Sequence, residues 1–374
     1  MATPHTIPET QTAVLVGSKE RKLAVIPVGE PGGDEVLIKN IAVASNPKDW
    51  KGPKWFYGEN EAYVEGNDVA GIIVAVGQGV SEYKVGDRVA AFTKIRSRDN
   101  KVGLEKWPEF VRSSRRTVKY GAYQQYTVAP ASVTFAIPDN TTFEEAATLP
   151  LAAMTAAIGL FVRLGIPAPE TPEAASNVGK AIIINGAASS VGAFAVQLAK
   201  RAGLYVIGTA GSSKDYAKEL GADVVIDYRE HKEDALIDAL VAAIGDRPTP
   251  WAYDAVSEHG SALMLARTLS RIAKSGKITT VLPIPDEEPA QFPADIAYEL
   301  TRVATAHTDD AKFAAEYYRK FSHWLADGSF KPNRPRVLPG GLQSVVHGLE
   351  LLETGKVHAE KLVYRIADTP GLEV

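Results

Sequence analysis

One segment of the sequence has the residue types and spacing of a turn that binds nucleotide phosphates: Gly186-Ala-Ala-Ser-Ser-Val-Gly192. It lies between an apolar run typical of a buried strand, Ala181–Asn185, and a helical pattern from about Ser190 to Ala202. Small side chains let the backbone approach a pyrophosphate, whose charge the free N–H groups of a helix N-terminus stabilise. We therefore expect dinucleotide binding here, with contacts from Ala188, Ser189, Ser190 and Val191.

The turn departs from the usual dinucleotide fingerprint. Ala187 and Ser189 stand at the first two glycine positions of G-x-G-x-x-G. A plain strand-to-helix turn built of small residues is therefore the alternative interpretation. Gly192 keeps the third glycine, which allows the helix to pack closely against the strand. The surrounding alternation of expected strands and helices favours the dinucleotide site.

The residues after the turn favour NADPH over NADH. No Asp or Glu occurs from Gly186 to Lys214, although NAD-selective sites place an acid about 20 residues downstream to bind the ribose 2′-hydroxyl. The second expected strand is followed instead by Ser212, Ser213 and Lys214, whose hydroxyl and ammonium groups suit a 2′-phosphate. Tyr228, after the third expected strand, is placed to contact the same phosphate or the adenine. A helix cap with a solvated lysine is the alternative.

Two patterns of predicted elements divide the chain, and together they indicate an α/β protein. Up to about residue 150, short β-branched runs separated by Gly and Pro predict an all-β unit, with strands at Val36–Lys39, Ile41–Ala44, Val69–Val76, Arg88–Ala91 and Tyr123–Val128. From residue 181, strands alternate with helices, which indicates a parallel sheet with strands at Ala181–Asn185, Tyr205–Thr209, Val224–Ile226, Trp251–Val256 and Lys277–Leu282. The last part of the chain predicts helices near 310–327 and 342–353, then a strand at Lys361–Ile366.

Composition excludes several classes of protein and site. The 374 residues include no cysteine, so disulfides, thiolate metal sites and cysteine nucleophiles are excluded. A net charge of −4 argues against nucleic-acid binding. The longest uncharged apolar stretch, Ala146–Val162, contains Pro150 and is too weakly hydrophobic for a membrane span, so we expect a buried helix there. The first ten residues show no targeting signal, and a cytoplasmic location is the default expectation.

Further motifs run almost from end to end of the chain: Asn46-Pro-Lys-Asp49, Gly66-Asn-Asp-Val-Ala-Gly71, Val85-Gly-Asp-Arg-Val89, Gly121-Ala-Tyr-Gln-Gln-Tyr126, Glu145-Ala-Ala-Thr-Leu-Pro150 and Ala195-Val-Gln-Leu-Ala199. With them the chain resembles zinc-independent medium-chain dehydrogenase/reductases of the quinone-oxidoreductase and enoyl-reductase types, notably the fungal trans-acting enoyl reductases that serve polyketide synthases. The resemblance implies a GroES-like β-rich catalytic domain, residues 1–150 with 310–374. It also implies a Rossmann NADPH-binding domain with a doubly wound parallel sheet, residues 151–309.

The same resemblance allows a test for zinc by residue type. Zinc-dependent relatives use a cysteine near the segment of Asp49, a histidine within the Gly66–Gly71 motif and a lobe with four cysteines. Here Asn67 stands at the histidine position, the chain has no cysteine, and none of its seven histidines lies between residues 6 and 230. A tetrahedral site of nitrogen and sulfur ligands is therefore not available, and we expect no metal. An oxygen-only site from Asp49 and Asp68 is the alternative.

The resemblance implies that the segment after Asn46 lines the cleft beside the nicotinamide, so its residues are the catalytic candidates. Asn46 would hold the ribose or the substrate, and Asp49 would orient it. Lys51 would donate to an enolate oxygen, and Tyr57 would supply a proton. The alternatives are a turn at Asn46-Pro47, a helix cap at Asp49 and a solvated Lys51.

Other contacts follow from the same resemblance. The further cofactor-binding residues that it implies are Pro47, Thr155, Val256, Leu282 and Lys361. For Lys361 the alternative is a surface lysine beside an edge strand. Asp68 is expected to bind a backbone amide or Arg88 rather than to carry a proton.

These features together predict an NADPH-dependent reductase that transfers hydride to the β-carbon of an activated C=C bond without a metal. The substrate would be a small molecule, namely an enone, an enal, a quinone or an enoyl thioester, free or bound to a carrier. One alternative is a zinc-independent, NADPH-dependent aldehyde reductase. The other is a nucleotide-binding protein without catalysis.

Two segments are candidates for contacts with partner proteins. The loop 93–118 is basic, and it would meet an acidic carrier or a phosphopantetheine phosphate through Arg96, Arg98, Lys101, Lys106, Arg112, Arg115 and Arg116. A solvated basic loop is the alternative. Thr301–Thr305, expected as the last strand of the parallel sheet, would pair two copies in a homodimer. No membrane or nucleic-acid partner is expected.

Overall fold

A computed structural model describes residues 6–59, 61–94, 101–103, 119–273 and 275–372. The chain forms two compact units. Met1–Leu151 and Ala304–Val374 make the first, and Ala152–Val303 make the second. The first unit is dominated by strands, and the second combines a parallel sheet with helices. The prediction of an α/β fold is confirmed.

Strands and helices have the following bounds. The strands are β1 (Thr10–Gly17), β2 (Arg21–Pro27), β3 (Glu35–Ala44), β4 (Glu61–Val64), β5 (Asp68–Val76), β6 (Arg88–Phe92), β7 (Lys101–Gly103), β8 (Tyr126–Pro130), β9 (Thr134–Ala136), β10 (Ala181–Asn185), β11 (Tyr205–Ala210), β12 (Val224–Asp227), β13 (Trp251–Asp254), β14 (Gly276–Thr280), β15 (Ile296–Leu300), β16 (Pro335–Val337) and β17 (Lys361–Arg365). The helices are α1 (Lys48–Phe56), α2 (Phe143–Ala146), α3 (Pro150–Ala157), α4 (Ser190–Arg201), α5 (Lys214–Glu219), α6 (Glu233–Ile244), α7 (Ser261–Ile272), α8 (Ala311–Ala326) and α9 (Val345–Glu353). A π-helix, Ile158–Arg163, continues α3.

The strands of the first unit form two sheets. One has the order β2-β1-β4-β7, and the other has the order β16-β17-β3-β5-β6-β9, with β8 also paired to β3. The long strand β3 is central to the second sheet, because it pairs antiparallel with β17, β5 and β8. Val36, Ile38 and Val43 of β3 lie in the core together with Val14 and Val69. Burial of these apolar side chains fixes the register of β3.

The strand predicted at Tyr123–Val128 begins later, as β8, because the preceding residues form turns. Gly121 has a φ of 95°, and a Cβ there would lie 2.1 Å from the carbonyl oxygen of Val64. The Gln124 amide donates to the carbonyls of Tyr120 and Gly121 at 3.2 and 2.9 Å. Directly before β8, Gln124 makes an isolated antiparallel bridge with Ala13.

The sheet of the second unit has the order β12-β11-β10-β13-β14-β15, and all of its pairs are parallel. Numbered within this unit, the order is 3-2-1-4-5-6, which is that of a doubly wound dinucleotide-binding sheet. Every residue of β10 is buried, as in strands whose two faces are both covered. The predicted βαβ units are confirmed. The strand order reverses between β10 and β13, and ligands of such sheets bind at the carboxyl ends of the strands.

The prediction of a last strand at Thr301–Thr305 is wrong. The sheet ends with β15, and the chain then enters a 3-10 helix at Val303–His307. The N–H groups of Thr308 and Asp310 both donate to the carbonyl of Thr305, at 2.9 and 2.8 Å. The family resemblance suggested a strand here, but local hydrogen bonds close the segment on itself.

The basic segment 93–118 lies largely outside the described residues. Its description as a loop is wrong at Lys101–Gly103, which forms β7 antiparallel to β4. The basic side chains expected to meet a partner lie outside the described residues, from Arg96 to Arg116. The helix expected within Ala146–Val162 is present as α3 and the π-helix. Among the described residues, no helix is both long enough and apolar enough to cross a bilayer.

Candidate active site

The predicted nucleotide turn follows β10 and leads into α4. Gly186 begins the turn with a φ of 71°, and the Ser189 hydroxyl caps α4 by accepting the N–H of Gly192 at 3.1 Å. A Cβ at position 192 would lie 2.1 Å from the carbonyl oxygen of Gly186, so only glycine allows this approach. The turn and the first helical residues also contain Ala188, Ser190 and Val191. A helix N-terminus with small residues at this sheet edge fits the pyrophosphate of a dinucleotide.

The residues predicted to favour NADPH follow β11 and β12 in the second unit. Ser212 is exposed. The Tyr228 hydroxyl lies over Gly211, where a Cβ would be 3.0 Å away from it. The Lys214 ammonium lies 3.8 Å from the carboxylate of Asp227, the last residue of β12. The structure therefore brings a cation, a phenol and a glycine-containing loop together at the end of the second and third strands of this sheet.

Sequence reasoning missed one cation of this group. Arg229 donates to Asp227 through Nε at 2.9 Å and through Nη2 at 2.6 Å. Hydrogen bonding from Arg229 is the main cause that lowers the pKa of Asp227 below its ordinary value, and the charge of Lys214 adds to it. The alternating charges of Asp227-Tyr-Arg229 were the signal available in the sequence. The acid is thus already paired with cations.

Three further predicted cofactor contacts lie in the second unit. The strands expected to reach Val256 and Leu282 end before them, so both residues lie in loops. Ser257 has a φ of 57°, which turns the chain after β13. Val256 packs beside the nucleotide turn, since a Cβ at Gly186 would lie 2.5 Å from its methyl group. Thr155 is buried in α3, where its carbonyl accepts the hydroxyl of a tyrosine of β13 at 2.9 Å.

The first unit buries a charged cluster around Asp68. One carboxylate oxygen accepts the Leu151 N–H at 2.6 Å, whereas the other accepts the Asn46 amide at 2.8 Å and lies 3.1 Å from Lys361 Nζ. Burial raises the pKa of Asp68, and the Lys361 ammonium and the N–H donors oppose this rise. The expected backbone partner of Asp68 is present. Arg88, the other expected option, donates through its guanidinium to a backbone carbonyl instead.

Asn46 has a fixed amide orientation in this cluster. Its Oδ1 accepts from Lys361 at 2.5 Å, and its Nδ2 donates to Asp68. An ammonium only donates, so the amide oxygen of Asn46 must face Lys361 and its NH₂ group must face Asp68. Lys361 is buried, and the alternative of a surface lysine is therefore wrong. Pro47, next to Asn46, is exposed at the start of α1.

Asp49 is fully buried in the first turn of α1. It accepts the Asn46 N–H at 2.8 Å and the Tyr123 hydroxyl at 2.6 Å, and Lys48 Nζ lies 3.0 Å from its other oxygen. Burial, together with the Asp49 charge, raises the pKa of Tyr123 well above its ordinary value. The Tyr123 hydroxyl also lies 2.7 Å from Ser45 Oγ. Asp49 therefore ties the first turn of α1 to the backbone of Asn46, whereas the N-cap of α1 is Pro47, with no side-chain cap hydrogen bond.

Lys51 is a buried cation on α1, with only 5% of its surface exposed. Its Nζ lies 5.5 Å from the ring centre of Trp50 and 5.7 Å from that of Trp55, within the range of cation–π attraction. The alternative of a solvated lysine is therefore wrong for Lys51. It describes Lys54, which is exposed and pairs with Glu353.

Tyr57 follows the last residue of α1 and is largely buried. Its ring centre lies 4.4 Å from that of Tyr63 in β4. This contact packs the ring of Tyr57 against β4. The segment Asn46–Tyr57 thus presents an amide, an ammonium and a phenol within one short stretch of chain.

The side chains at the positions where zinc-dependent relatives have their ligands do not fit zinc. The Asn67 amide donates to the carbonyls of Thr93 and Lys94 at 3.0 and 3.2 Å. Asp49 and Asp68 already take N–H, O–H and ammonium donors. Within the part of the chain that the structure describes, no group of three or more His, Cys, Asp or Glu side chains could hold a metal ion.

Comparison with known proteins identifies the family. Residues 32–139 match the family model described as alcohol dehydrogenase GroES-like domain, and residues 190–314 match that described as zinc-binding dehydrogenase. The trans-enoyl reductase fsr4 of Gibberella fujikuroi is 34% identical over 319 residues, which cover 84% of this chain and 86% of that protein. The chain belongs to the medium-chain dehydrogenase/reductases. This family uses a nicotinamide dinucleotide, and the second unit fits one.

Other members of the medium-chain dehydrogenase/reductases extend this result. The trans-enoyl reductase himH of Aspergillus japonicus is 32% identical over 340 residues, covering 89% of this chain and 90% of that protein. The fold matches that of a putative zinc-dependent alcohol dehydrogenase from Rhizobium etli, with a TM-score of 0.77, 23% identity and coverage of 98% and 99%. The predicted GroES-like and Rossmann architecture is confirmed, as is the resemblance to enoyl reductases.

Proposed function

We propose that the protein is an NADPH-dependent reductase that saturates a C=C bond conjugated to a carbonyl group, as in an enone, an enal or an enoyl thioester. The observation that carries the proposal is its identity of 34% to a trans-enoyl reductase across 84% of the chain. The side chain of Asn67, whose amide donates to two backbone carbonyls, is not a zinc ligand, and this supports the same reaction. Reduction at the β-carbon needs hydrogen-bond donors for the oxygen, whereas direct carbonyl reduction is commonly assisted by a Lewis acid.

The second unit would hold the cofactor. Its pyrophosphate would lie at the turn that begins at Gly186, and its 2′-phosphate would be bound by Ser212, Lys214 and Tyr228. Bound NADPH supplies a hydride to the β-carbon of the substrate. Arg229 pairs with Asp227, so this carboxylate opposes a phosphate beside Lys214 less strongly.

Lys51 is proposed as the donor to the substrate oxygen. Hydride addition at the β-carbon moves negative charge onto the carbonyl oxygen, which becomes an enolate oxygen. A buried ammonium stabilises that charge better than a solvated one, because little water screens it. The two tryptophan rings beside Lys51 Nζ restrict the directions that the ammonium takes. Tyr57 is proposed to give a proton to the α-carbon, so that one hydride and one proton complete the saturated product.

Asn46 would act as a donor rather than an acceptor. Its oxygen already accepts from Lys361, and this ammonium, which only donates, prevents the amide from reversing. It therefore offers an N–H to a ribose hydroxyl or to the substrate oxygen. Asp49 would act on the reaction only through Asn46 and α1, as a positioning residue.

The test is to identify the product formed from trans-2-hexenal with NADPH, with NADH in parallel, and from a crotonyl thioester with each cofactor. We expect the saturated aldehyde or the saturated thioester, with NADPH preferred. An allylic alcohol would contradict the proposal and indicate aldehyde reduction. Nucleotide binding without turnover of either substrate would point to a large or carrier-bound substrate, or to nucleotide binding without catalysis.

Replacing Lys214 with alanine is expected to weaken NADPH binding about tenfold and to leave NADH binding within about twofold, because one charged hydrogen bond to the 2′-phosphate is lost. Isothermal titration calorimetry with both nucleotides measures the two affinities. The matched control is Lys218→Ala, since Lys218 lies one turn later on α5 and is more exposed. Equal losses for NADPH and NADH in Lys214→Ala would contradict the assignment of the phosphate site.

A further inference from the structure

Three polar side chains form a buried row across the middle of the parallel sheet. Asn185 is the last residue of β10, and Asp254 is the last residue of β13. Thr209 stands near the end of β11 and pairs in register with Asn185, which also pairs with Asp254. All three are buried. They therefore lie side by side at the edge where the strand order reverses.

Hydrogen bonds join the three residues to the nucleotide turn. The Asn185 amide donates to Asp254 Oδ1 at 2.9 Å, and the Thr209 hydroxyl donates to Asn185 Oδ1 at 2.6 Å. The Gly186 N–H donates to Thr209 Oγ1 at 3.2 Å, and the Ala187 N–H donates to the carbonyl of Thr209 at 2.9 Å. Thr209 thus binds the first two backbone N–H groups of the turn.

The Asp254 carboxylate sets the direction of this chain of hydrogen bonds. An ionised carboxylate only accepts, so Asn185 must turn its NH₂ group toward Asp254 and its oxygen toward Thr209. The Thr209 hydroxyl must then donate to Asn185, which leaves its lone pair to accept the Gly186 N–H. The negative charge of Asp254 therefore determines, through Asn185, that the Thr209 hydroxyl accepts the Gly186 N–H.

Asp254 has other partners that hold it in place. Its Oδ1 also accepts the N–H groups of Val256 and Ser257 at 3.2 and 2.9 Å. Its Oδ2 accepts the Ser261 hydroxyl at 2.6 Å. A buried carboxylate without donors would be costly, and these bonds satisfy it. The same carboxylate thus anchors the loop after β13, where Val256 packs beside the turn.

We propose that the row Asp254–Asn185–Thr209 positions the nucleotide turn, and that Thr209 is the residue through which it determines nucleotide affinity. The inference rests on the proposed use of a nicotinamide nucleotide by this unit. Without the Thr209 hydroxyl, the partly buried Gly186 N–H loses its acceptor and the turn loses the bond that orients it. None of the three side chains needs to touch the nucleotide for this effect, so they are positioning residues.

The test compares Thr209→Val, which keeps the shape of the side chain but removes the hydroxyl, with Thr209→Ser, which keeps the hydroxyl. Binding of NADPH and of NADH is measured by calorimetry, together with thermal unfolding of each variant. We expect Thr209→Val to weaken both nucleotides about tenfold, or about 1.4 kcal/mol. Thr209→Ser is expected to bind within about twofold of the unaltered protein. In steady-state assays the KM for the cofactor rises while kcat is retained.

Amide hydrogen exchange gives a second readout that needs no variant. The Gly186 N–H of the nucleotide-free protein is expected to exchange slowly, since it is bonded to Thr209. Fast exchange of this amide would overturn the proposal, and so would unchanged nucleotide affinity in a folded Thr209→Val protein. Equal losses in Thr209→Val and Thr209→Ser would also overturn it. If the unaltered protein binds neither nucleotide, the proposed function itself fails, which is a different result.

Discussion

Replacing Lys51 with methionine is expected to lower kcat/KM for C=C reduction by about 100-fold, which is the usual loss when one donor to a developing oxyanion is removed. Methionine retains the length of the side chain and its apolar packing between Trp50 and Trp55, so the loss reports the ammonium. The rate of NADPH oxidation with trans-2-hexenal measures the effect. Affinity for NADPH, measured by calorimetry, is expected to stay within about twofold.

The control for Lys51 is on the same helix. Lys54 is exposed and its ammonium pairs with Glu353, so Lys54→Met is expected to retain the rate within about twofold. A rate in Lys51→Met similar to that of Lys54→Met would contradict the role of Lys51. The donor to the enolate oxygen would then have to be sought at Asn46, whose N–H is the other fixed donor of this segment.

Changing Gly192 to alanine is expected to lower nucleotide affinity by at least about 100-fold. The new Cβ would lie 2.1 Å from the carbonyl oxygen of Gly186 and 3.0 Å from the Cα of Ala187, so α4 must move away from the turn. The helix N-terminus then no longer supports the phosphates. Crowding of this kind typically costs about 1–3 kcal/mol, and we expect the melting temperature to fall by about 5 °C.

The matched control is Gly52, a glycine within α1 whose Cβ position has open space around it. Gly52→Ala is expected to change stability by less than about 1 kcal/mol, because the better helix propensity of alanine is offset by crowding of its Cβ against Pro53, the next residue. It should leave nucleotide affinity unchanged. Calorimetry and thermal unfolding of the two variants separate the effect of crowding from that of removing a glycine. Normal nucleotide binding by Gly192→Ala would contradict the placement of the phosphates at this turn.

The second unit could be predicted from the sequence almost completely, because its signals are local. A five-residue apolar run, a small-residue turn and a helical pattern lie consecutively around Gly186, and a parallel sheet follows from their repetition. The end of the sheet could not be predicted in the same way. Thr301–Thr305 has the composition of a strand, and only hydrogen bonds to the Thr305 carbonyl reveal the 3-10 helix.

The charged cluster of the first unit was beyond sequence reasoning for a different reason. Asp68 and Lys361 are 293 positions apart in the chain, and the sequence alone does not show that β17 lies beside β3. Both residues were noticed, yet their pairing was not. The same holds for Asp49 and Tyr123, which belong to different sequence motifs but are hydrogen-bonded to each other. Local sequence patterns predict strands and helices, whereas contacts between distant residues depend on how the strands are ordered in the sheet.

The pairing of β17 with β3 has a consequence for synthesis on the ribosome. β17 begins 317 positions after the last residue of β3, so at about 5–20 residues per second β3 waits roughly 15–60 s for this partner. During that time Asp68 lacks the ammonium of Lys361, and residues 42–44 of β3 lack their neighbour on one side. The nascent first unit is therefore exposed to edge pairing with other chains, whereas Ala152–Val303 can fold as a contiguous segment. Chaperones would have to protect an incomplete sheet in which the Asp68 carboxylate still lacks the Lys361 ammonium.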